Sequence, residues 1–169
     1  QAGKVRHFGV SNQNPMMMEL LKTAVKQPLK VNQLQLSAAF TPSFEAGFHV
    51  NMEGPKAAVR DGSVFEYCRL TDTVIQAWSV LQHGYFKGNF VGKEEFAALN
   101  HVLNDLAKKY QVTPTAIALA WVLRYPSKMQ AVIGTTKPQH VLEAGKAATL
   151  TLTRKEWYQI YLAAGNDLP

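Results

Sequence analysis

The sequence predicts an α/β fold in which parallel strands are each followed by helices that cover the sheet. Three observations lead there. Short apolar runs alternate along the chain with segments of helical period, so successive strands have to be joined by crossovers. The apolar runs end in polar residues, at Ser11-Asn12, Ser79 and Thr135-Thr136, and those C-terminal strand tips are where parallel α/β folds carry their sites. One stretch holds both features. The run Ala131-Val132-Ile133 ends in Gly134-Thr135-Thr136, and Pro138 then opens an apolar-periodic segment through Glu143. That pattern is a buried strand, a hydroxyl-rich turn and a helix with Pro in its first turn. Free N–H groups, two Thr hydroxyls, Lys137 and His140 would gather at the positive end of that helix, which suits a phosphate. Taken alone, the same stretch is also an ordinary strand-to-helix connection.

Each element has its own signal. Val5–Val10 is predicted to be a buried strand, closed by Ser11-Asn12. Asn14-Pro15 starts a helix rich in Met and Leu, which Pro28 ends. Val31–Ser37 is a second strand in which Asn32, Leu34 and Leu36 share one face and Gln33 and Gln35 the other. So polar a strand is either an edge strand or one with a polar residue aimed into a site. Residues Thr41–Asp61 contain Pro42, Gly47, Gly54 and Pro55, and are expected to form a long irregular binding loop. A helix follows over Val64–Leu70, capped by Asp61 or Ser63. The β-branched, apolar run Thr73–Leu81 is the third strand. The loop Gln82–Lys93 carries Gly84, Gly88 and Gly92. Their spacing differs from G-x-G-x-x-G, so it is no dinucleotide fingerprint. Phe96, Leu99, Val102, Leu103 and Leu106 mark one face of a helix over 94–110. Thr113-Pro114 starts another, which stops before Pro126. Thr153 and Glu156 form a capping box for a last helix over 151–164. The predicted order is β-α-β-loop-α-β-α-α-β-α-α.

The totals exclude several function classes. Apolar residues make up 47% of the 169 residues, which rules out disorder as the default. No apolar run approaches the roughly 18 residues of a membrane span, so no membrane partner is expected. No metal site is expected. The formal charge is +6, but the basic residues occur singly or in pairs such as Lys108-Lys109, without a basic block. Nucleic-acid binding is therefore not expected. Cys68 is the only cysteine, which suits a reducing, cytoplasmic setting and a buried packing role. The polar start Gln1-Ala2-Gly3-Lys4, without Met, carries no signal peptide pattern. It leads us to expect that the sequence begins inside a longer chain.

Four motifs in order carry a resemblance. Gly3–Asn12, Val31-Asn32-Gln33, Gln76-Ala77-Trp78-Ser79 and Ile133–Pro138, with the tail Leu152–Trp157, resemble the aldo-keto reductase family and its bacterial YdhF-like branch. The resemblance runs nearly end to end, but only with the second half of that family's fold. It implies units 5–8 of a (β/α)8 TIM barrel, residues 1–169 being a single partial domain with loops 41–61 and 82–93 on the active-site face. It also implies NADP(H) lying extended across the C-terminal ends of the strands, and reduction of a small-molecule aldehyde or ketone by hydride transfer. By position, Ser11, Asn12 and Gln33 match residues that hold the nicotinamide carboxamide. Trp78 stands where the family usually has a Tyr stacked on the nicotinamide. Ser79 and Leu81 fall in the pyrophosphate loop. Thr135 falls at the usual Ser of the 2′-phosphate pocket and His140 at its usual Arg. Glu143 matches the acid that touches adenine. Gly134 stands in the same pocket where many members have Lys, and Ala144 where many have Asn. Free imidazole titrates near ~6.5, so His is a weaker, pH-dependent phosphate partner than Arg, and NADPH is less firmly implied over NADH than the fold is.

The family's catalytic tetrad of Asp, Tyr, Lys and His is expected upstream of Gln1, leaving this chain with no catalytic residue. His7 is expected as a packed core residue, and Tyr67 and Tyr85 as tyrosines without a partner Lys. The sequence alone is then expected to be inactive or nearly so, the parent protein being the enzyme. Half a parallel barrel leaves two strand edges unpaired, so the missing N-terminal half or a second copy is expected as partner. A different class remains open beside the enzyme, a non-catalytic module that binds the nicotinamide cofactor for regulation or interaction.

Overall fold

In the computed structural model the described residues are 3–48, 63–84 and 87–168. Four strands form one parallel sheet in sequence order: β1 (Phe8–Ser11), β2 (Leu29–Gln35), β3 (Val74–Trp78) and β4 (Met129–Ala131). The helices are α1 (Pro15–Ala24), α2 (Pro42–Phe48), α3 (Val64–Leu70), α4 (Ala97–Tyr110), α5 (Pro114–Leu123), α6 (Pro138–Lys146) and α7 (Arg154–Ala163). Short 3-10 turns, Glu94–Phe96 and Ala147–Thr149, lead into α4 and out of α6.

Local chemistry accounts for the helix starts. Asn14 accepts from the Met17 N–H at 2.9 Å and Pro15 takes the first position of α1. Thr113 does the same for Ala116 at 3.2 Å ahead of Pro114 in α5. Thr153 and Glu156 form the expected reciprocal capping box of α7. Each fills an N–H that the helix cannot satisfy itself.

The sheet has two unlike faces. On the covered face Leu34, Leu36, Ile75 and Ala77 pack beneath Leu99, Leu103, Ile117 and Leu119 of α4 and α5. An aromatic cluster closes the outer end of this core. Trp121 and Trp157 stack at 4.8 Å, and each indole N–H donates to the other's backbone carbonyl, at 3.0 and 3.1 Å. Reciprocal bonding satisfies both buried donors without water. The other face carries a row in register across all strands, Ser11, Gln33, Gln76 and Gln130. Gln76 donates to Gln130 at 2.9 Å, and Gln33 lies 3.5 Å from Gln76. Below that row Gly9 faces Val31, and a Cβ on Gly9 would sit 2.7 Å from the Val31 Cβ, so only glycine allows the two strands to approach there.

Several expectations are corrected. The second strand is internal, paired with β1 and β3, so the edge-strand reading fails. Its buried polar residue, Asn32, turns to the covered face and donates to the Gln13 carbonyl at 2.8 Å. The first strand is not buried: β1 is a sheet edge and Phe8 is 42% exposed. His7 is exposed and precedes the strand. The fourth strand is Met129–Ala131, not 131–133, because Ile75 and Ala77 of β3 fix its register at Met129 and Ala131. The start of the supposed irregular loop is the helix α2, held by Phe44 against Phe65 at 5.4 Å and Tyr125 at 5.3 Å. The remainder of that loop, the cap candidate Asp61 and Tyr85 lie outside the described residues. Ser63 occupies the N-cap of α3 but makes no capping bond.

Candidate functional site

The strand tips are built from unusual backbone. Asn12 after β1 and Ser79 after β3 both adopt left-handed conformations, at φ 53° and 52°. For residues other than glycine this costs about 1–3 kcal/mol and is kept where the surroundings enforce it. At β1 the enforcement is the Asn12 N–H, which donates to the Gln33 carbonyl at 2.9 Å. At β3 it is the Gln82 N–H, donating to the Ser79 carbonyl at 2.8 Å. The Gln82 carbonyl in turn accepts the Ser37 hydroxyl at 2.5 Å, tying this turn to the end of β2.

Beyond these tips a cleft of about 520 Å³ opens between the β3 turn and the β4–α6 turn. Trp78, Ser79, Leu81, Gly134, Thr135, His140 and Glu143 line it together. Ser11, Asn12 and Gln33 are not in its wall. They lie beside it on β1 and β2, where the Trp78 indole N–H is 3.4 Å from the Asn12 side-chain oxygen. The sequence-derived site residues thus fall into one cleft and one adjoining shelf.

The α6 end of the cleft favours an anion. Lys137 occupies the N-cap and makes no side-chain cap bond, and the first turn of α6 holds no acidic residue. The Thr135 hydroxyl accepts from the Lys137 N–H at 3.2 Å and lies 3.3 Å from His140 Nδ1, so side chain and backbone donors converge at a positive helix end. A Cβ on Gly134 would meet nothing within 4 Å, which leaves a side-chain-sized space at the rim. Glu143, one turn beyond His140, accepts from Gln139 at 3.1 Å.

Sequence reasoning missed Gln82, Asn89 and Thr115, which also line the cleft. Gln82 is the most informative: its side-chain oxygen is buried without a hydrogen-bond donor among the described residues. A buried acceptor in that condition costs about 1–3 kcal/mol unless something enters the cleft to satisfy it. Its place next to Leu81 was the available signal. The reading of Tyr67 also changes. It does have a lysine partner, Lys22, whose Nζ donates to the Tyr67 hydroxyl at 2.5 Å and sits 5.0 Å from its ring. The pair joins the last turn of α1 to α3, in the helical layer and away from the strand tips. Cys68 is buried as expected, and burial pushes its thiol up to about 11. Among the described residues no cluster of His, Cys, Asp and Glu is arranged to hold a metal, and no helix is long and apolar enough to cross a membrane.

A parallel sheet with its cleft at the strand tips has counterparts. The pattern of the Aldo/keto reductase family matches residues 1–163. The chain belongs to that family. It is 32% identical to a 6-dehydroglucose reductase of Agrobacterium fabrum over 99% of this chain and 50% of that protein. It is also 32% identical to the oxidoreductase YdhF of Escherichia coli over 100% of this chain and 51% of that protein. Among solved structures, an aldo-keto reductase of Klebsiella pneumoniae in complex with NADPH superposes with a TM-score of 0.67 at 21% identity, over 94% of this chain and 48% of the other. A thermostable aldo-keto reductase bound to the inhibitor epalrestat gives 0.66 at 22%, again over 94% and 48%. The chain spans about half the length of the curated relatives it matches. Its fold is accordingly half of the barrel those structures form.

Proposed function

We propose that these residues are the cofactor-binding half of an NADP(H)-dependent aldo-keto reductase that reduces an aldehyde or ketone. The carrying observation is the cleft that joins Trp78, Ser79 and Leu81 to Gly134, Thr135, His140 and Glu143. The residues fit the cofactor: the uncapped end of α6 and the open space at Gly134 suit its phosphates, and the orphaned Gln82 acceptor suits a donor such as a ribose hydroxyl. Bound there, NADPH supplies the hydride. Thr135 and His140 then hold the adenosine phosphate, with Glu143 beside the adenine. Ser79 and Leu81 line the pyrophosphate path. Trp78 gives the nicotinamide a flat surface, and Ser11, Asn12 and Gln33 fix its carboxamide. Orienting one face of the ring in this way limits the reaction to geometries near transfer.

On this reading the proton donor and its partners come from βα units outside these 169 residues. The open face with its glutamine row and the unpaired edges of β1 and β4 are where those units close the barrel. The single partial domain, the substrate role of the loops 41–61 and 82–93, and a cytoplasmic setting belong to the same proposal.

Titration of the full-length protein with NADPH, followed by cofactor fluorescence, tests it. Thr135→Ala is expected to weaken NADPH by about tenfold, the loss of one charge-assisted bond, and NADH much less. Trp78→Ala should lower affinity for both. Equal loss for the two cofactors at Thr135 would remove it from the 2′-phosphate pocket. Firm NADPH binding without turnover of any aldehyde by the full-length protein would favour the non-catalytic module.

A further inference from the structure

A second concavity lies at the opposite end of the strands. Arg124, Tyr125 and Pro126 lead from α5 into β4, so they sit where the strands begin, away from the cofactor cleft. The cavity has a volume of about 330 Å³ and is lined by Arg69, Arg124, Arg154, Glu66, Tyr125 and Tyr158, among others. Three guanidinium groups from separate helical segments thus face one carboxylate.

Their structural duties leave them free. Arg124 donates its Nε to the Leu152 carbonyl at 2.9 Å, which fixes the plane of the guanidinium and leaves its terminal NH₂ groups uncommitted. Arg154 rests over the Tyr158 ring, 5.8 Å from its centroid. Among the described residues none of the three arginines lies within ion-pair distance of a carboxylate. Arg154 also occupies the first position of α7, where backbone N–H groups lack intrahelical partners,.

Tyr125 adds a neutral donor to the cavity lining. Tyr125 is 8% exposed, and its hydroxyl has no hydrogen-bond partner among the described residues. Burial, and next the Glu66 carboxylate, push the phenol up to about 12 against the opposing effect of Arg69. The hydroxyl therefore remains protonated and available to donate. A neutral donor beside one anchored guanidinium and two exposed ones offers the donors that a tetrahedral oxyanion accepts from.

We infer that the Arg69–Arg124–Arg154 pocket binds a phosphate or pyrophosphate group, free or carried on a larger molecule, at a site separate from the cofactor cleft. The inference does not rest on the cofactor reading. Calorimetric titration of the full-length protein with inorganic phosphate, inorganic pyrophosphate and ADP, at constant ionic strength, tests it. Arg69→Gln combined with Arg154→Gln removes two exposed side chains and is expected to weaken pyrophosphate by about tenfold or more. Thr135→Ala combined with His140→Ala removes the contribution of the cofactor cleft, so the arginine changes are read in that background, where the remaining pyrophosphate binding should depend on Arg69 and Arg154. Tyr125→Phe should weaken it severalfold while the unfolding midpoint stays in place. ADP binding tighter than pyrophosphate, with the same dependence on Arg69 and Arg154, assigns the site to a pendant group, and the reverse assigns it to the free ion. Absence of binding at millimolar pyrophosphate, or binding that survives the arginine changes, or binding lost only with the cleft variants, would overturn it.

Discussion

Helices α1 and α5 start in the same way and end in opposite surroundings. Both run for ten residues, both open with Pro, and both are capped by a side-chain oxygen, from Asn14 and Thr113. Every residue of α5 from Ala116 to Val122 is buried. In α1 only Pro15 and Met18 are, while Met16, Met17 and Leu20 are 70%, 50% and 65% exposed. Capping chemistry is local, so it forms in either place. Burial is not local, and α1 presents an apolar face of Met and Leu with nothing packed on it among the described residues. The same contrast separates the two faces of the sheet, one under α4 and α5, the other an open row of glutamines. It also fits the proposal that further βα units cover the α1 side in the full-length protein.

The largest expected effect breaks the comparison at α5. Trp121→Ala removes a fully buried indole stacked on Trp157 and hydrogen-bonded to its carbonyl, and should cost about 3–5 kcal/mol. Leu20→Ala in α1 should change the stability of the 169-residue chain by less than about 0.5 kcal/mol. In the full-length protein the same substitution should cost about 2 kcal/mol or more if units from the other half pack on α1. Denaturant unfolding of both forms measures this. An equally small Leu20 effect in the full-length protein would leave α1 a solvent-facing helix and remove one support for barrel closure at that edge.

Two acid–base pairs draw the same line more finely. Glu19–Lys22 in α1 is a surface pair at 2.8 Å, while Glu156–Lys109 joins α7 to α4 at 2.6 Å with Glu156 buried. Burial alone would raise the Glu156 carboxyl. Bonds from Lys109, from the Thr153 N–H and hydroxyl, and from the Tyr110 hydroxyl outweigh it and hold the group down at about 2. A carboxyl depressed in the folded state stabilises above its ordinary pKa, and that contribution is lost as pH falls through the folded value. Stability tied to Glu156 should therefore be intact above pH about 4.5 and decline towards about 2. Glu156→Gln should cost about 1–3 kcal/mol near neutrality and flatten the acid limb of the stability–pH curve. Glu19→Gln should cost less than about 0.5 kcal/mol. Urea midpoints across pH 2–7 for the two variants separate these outcomes.

Legibility in the sequence followed the same division. Helix starts were readable at Asn14, Thr113 and Thr153 because each cap involves residues three apart. The aldo-keto reductase motifs placed Trp78, Ser79, Leu81, Gly134, Thr135, His140 and Glu143 before any geometry, and the fold brings them to one cleft. What was not readable depends on distant partners. The seven-residue α2 contains Gly47 and is held by Phe44 in an aromatic cluster drawn from α3, α5 and α7, where tertiary packing overrides weak propensity. The register of β4 is set by its pairing with β3. The Lys22–Tyr67 contact spans 45 residues, and the orphaned acceptor of Gln82 exists only once Ser37 and Ser79 fix the turn.

The smallest expected effect concerns the cleft at the C-terminal tips of the strands. On the proposed function the groups that hold the anion there are Thr135, His140 and the α6 N-terminus, with no lysine at position 134. Gly134 has open space where a Cβ would stand and needs no left-handed backbone, so Gly134→Lys should fold without strain. A flexible ammonium at the rim adds a charge screened by solvent, worth about 1 kcal/mol at low salt, or roughly fivefold in NADPH affinity. The gain should shrink as salt rises and should be nearly absent for NADH, which lacks the 2′-phosphate. Dissociation constants for both cofactors at two ionic strengths check it. An equal gain for NADH would place the new charge near the pyrophosphate, and would move the adenosine phosphate away from Thr135 and towards the turn at Ser79.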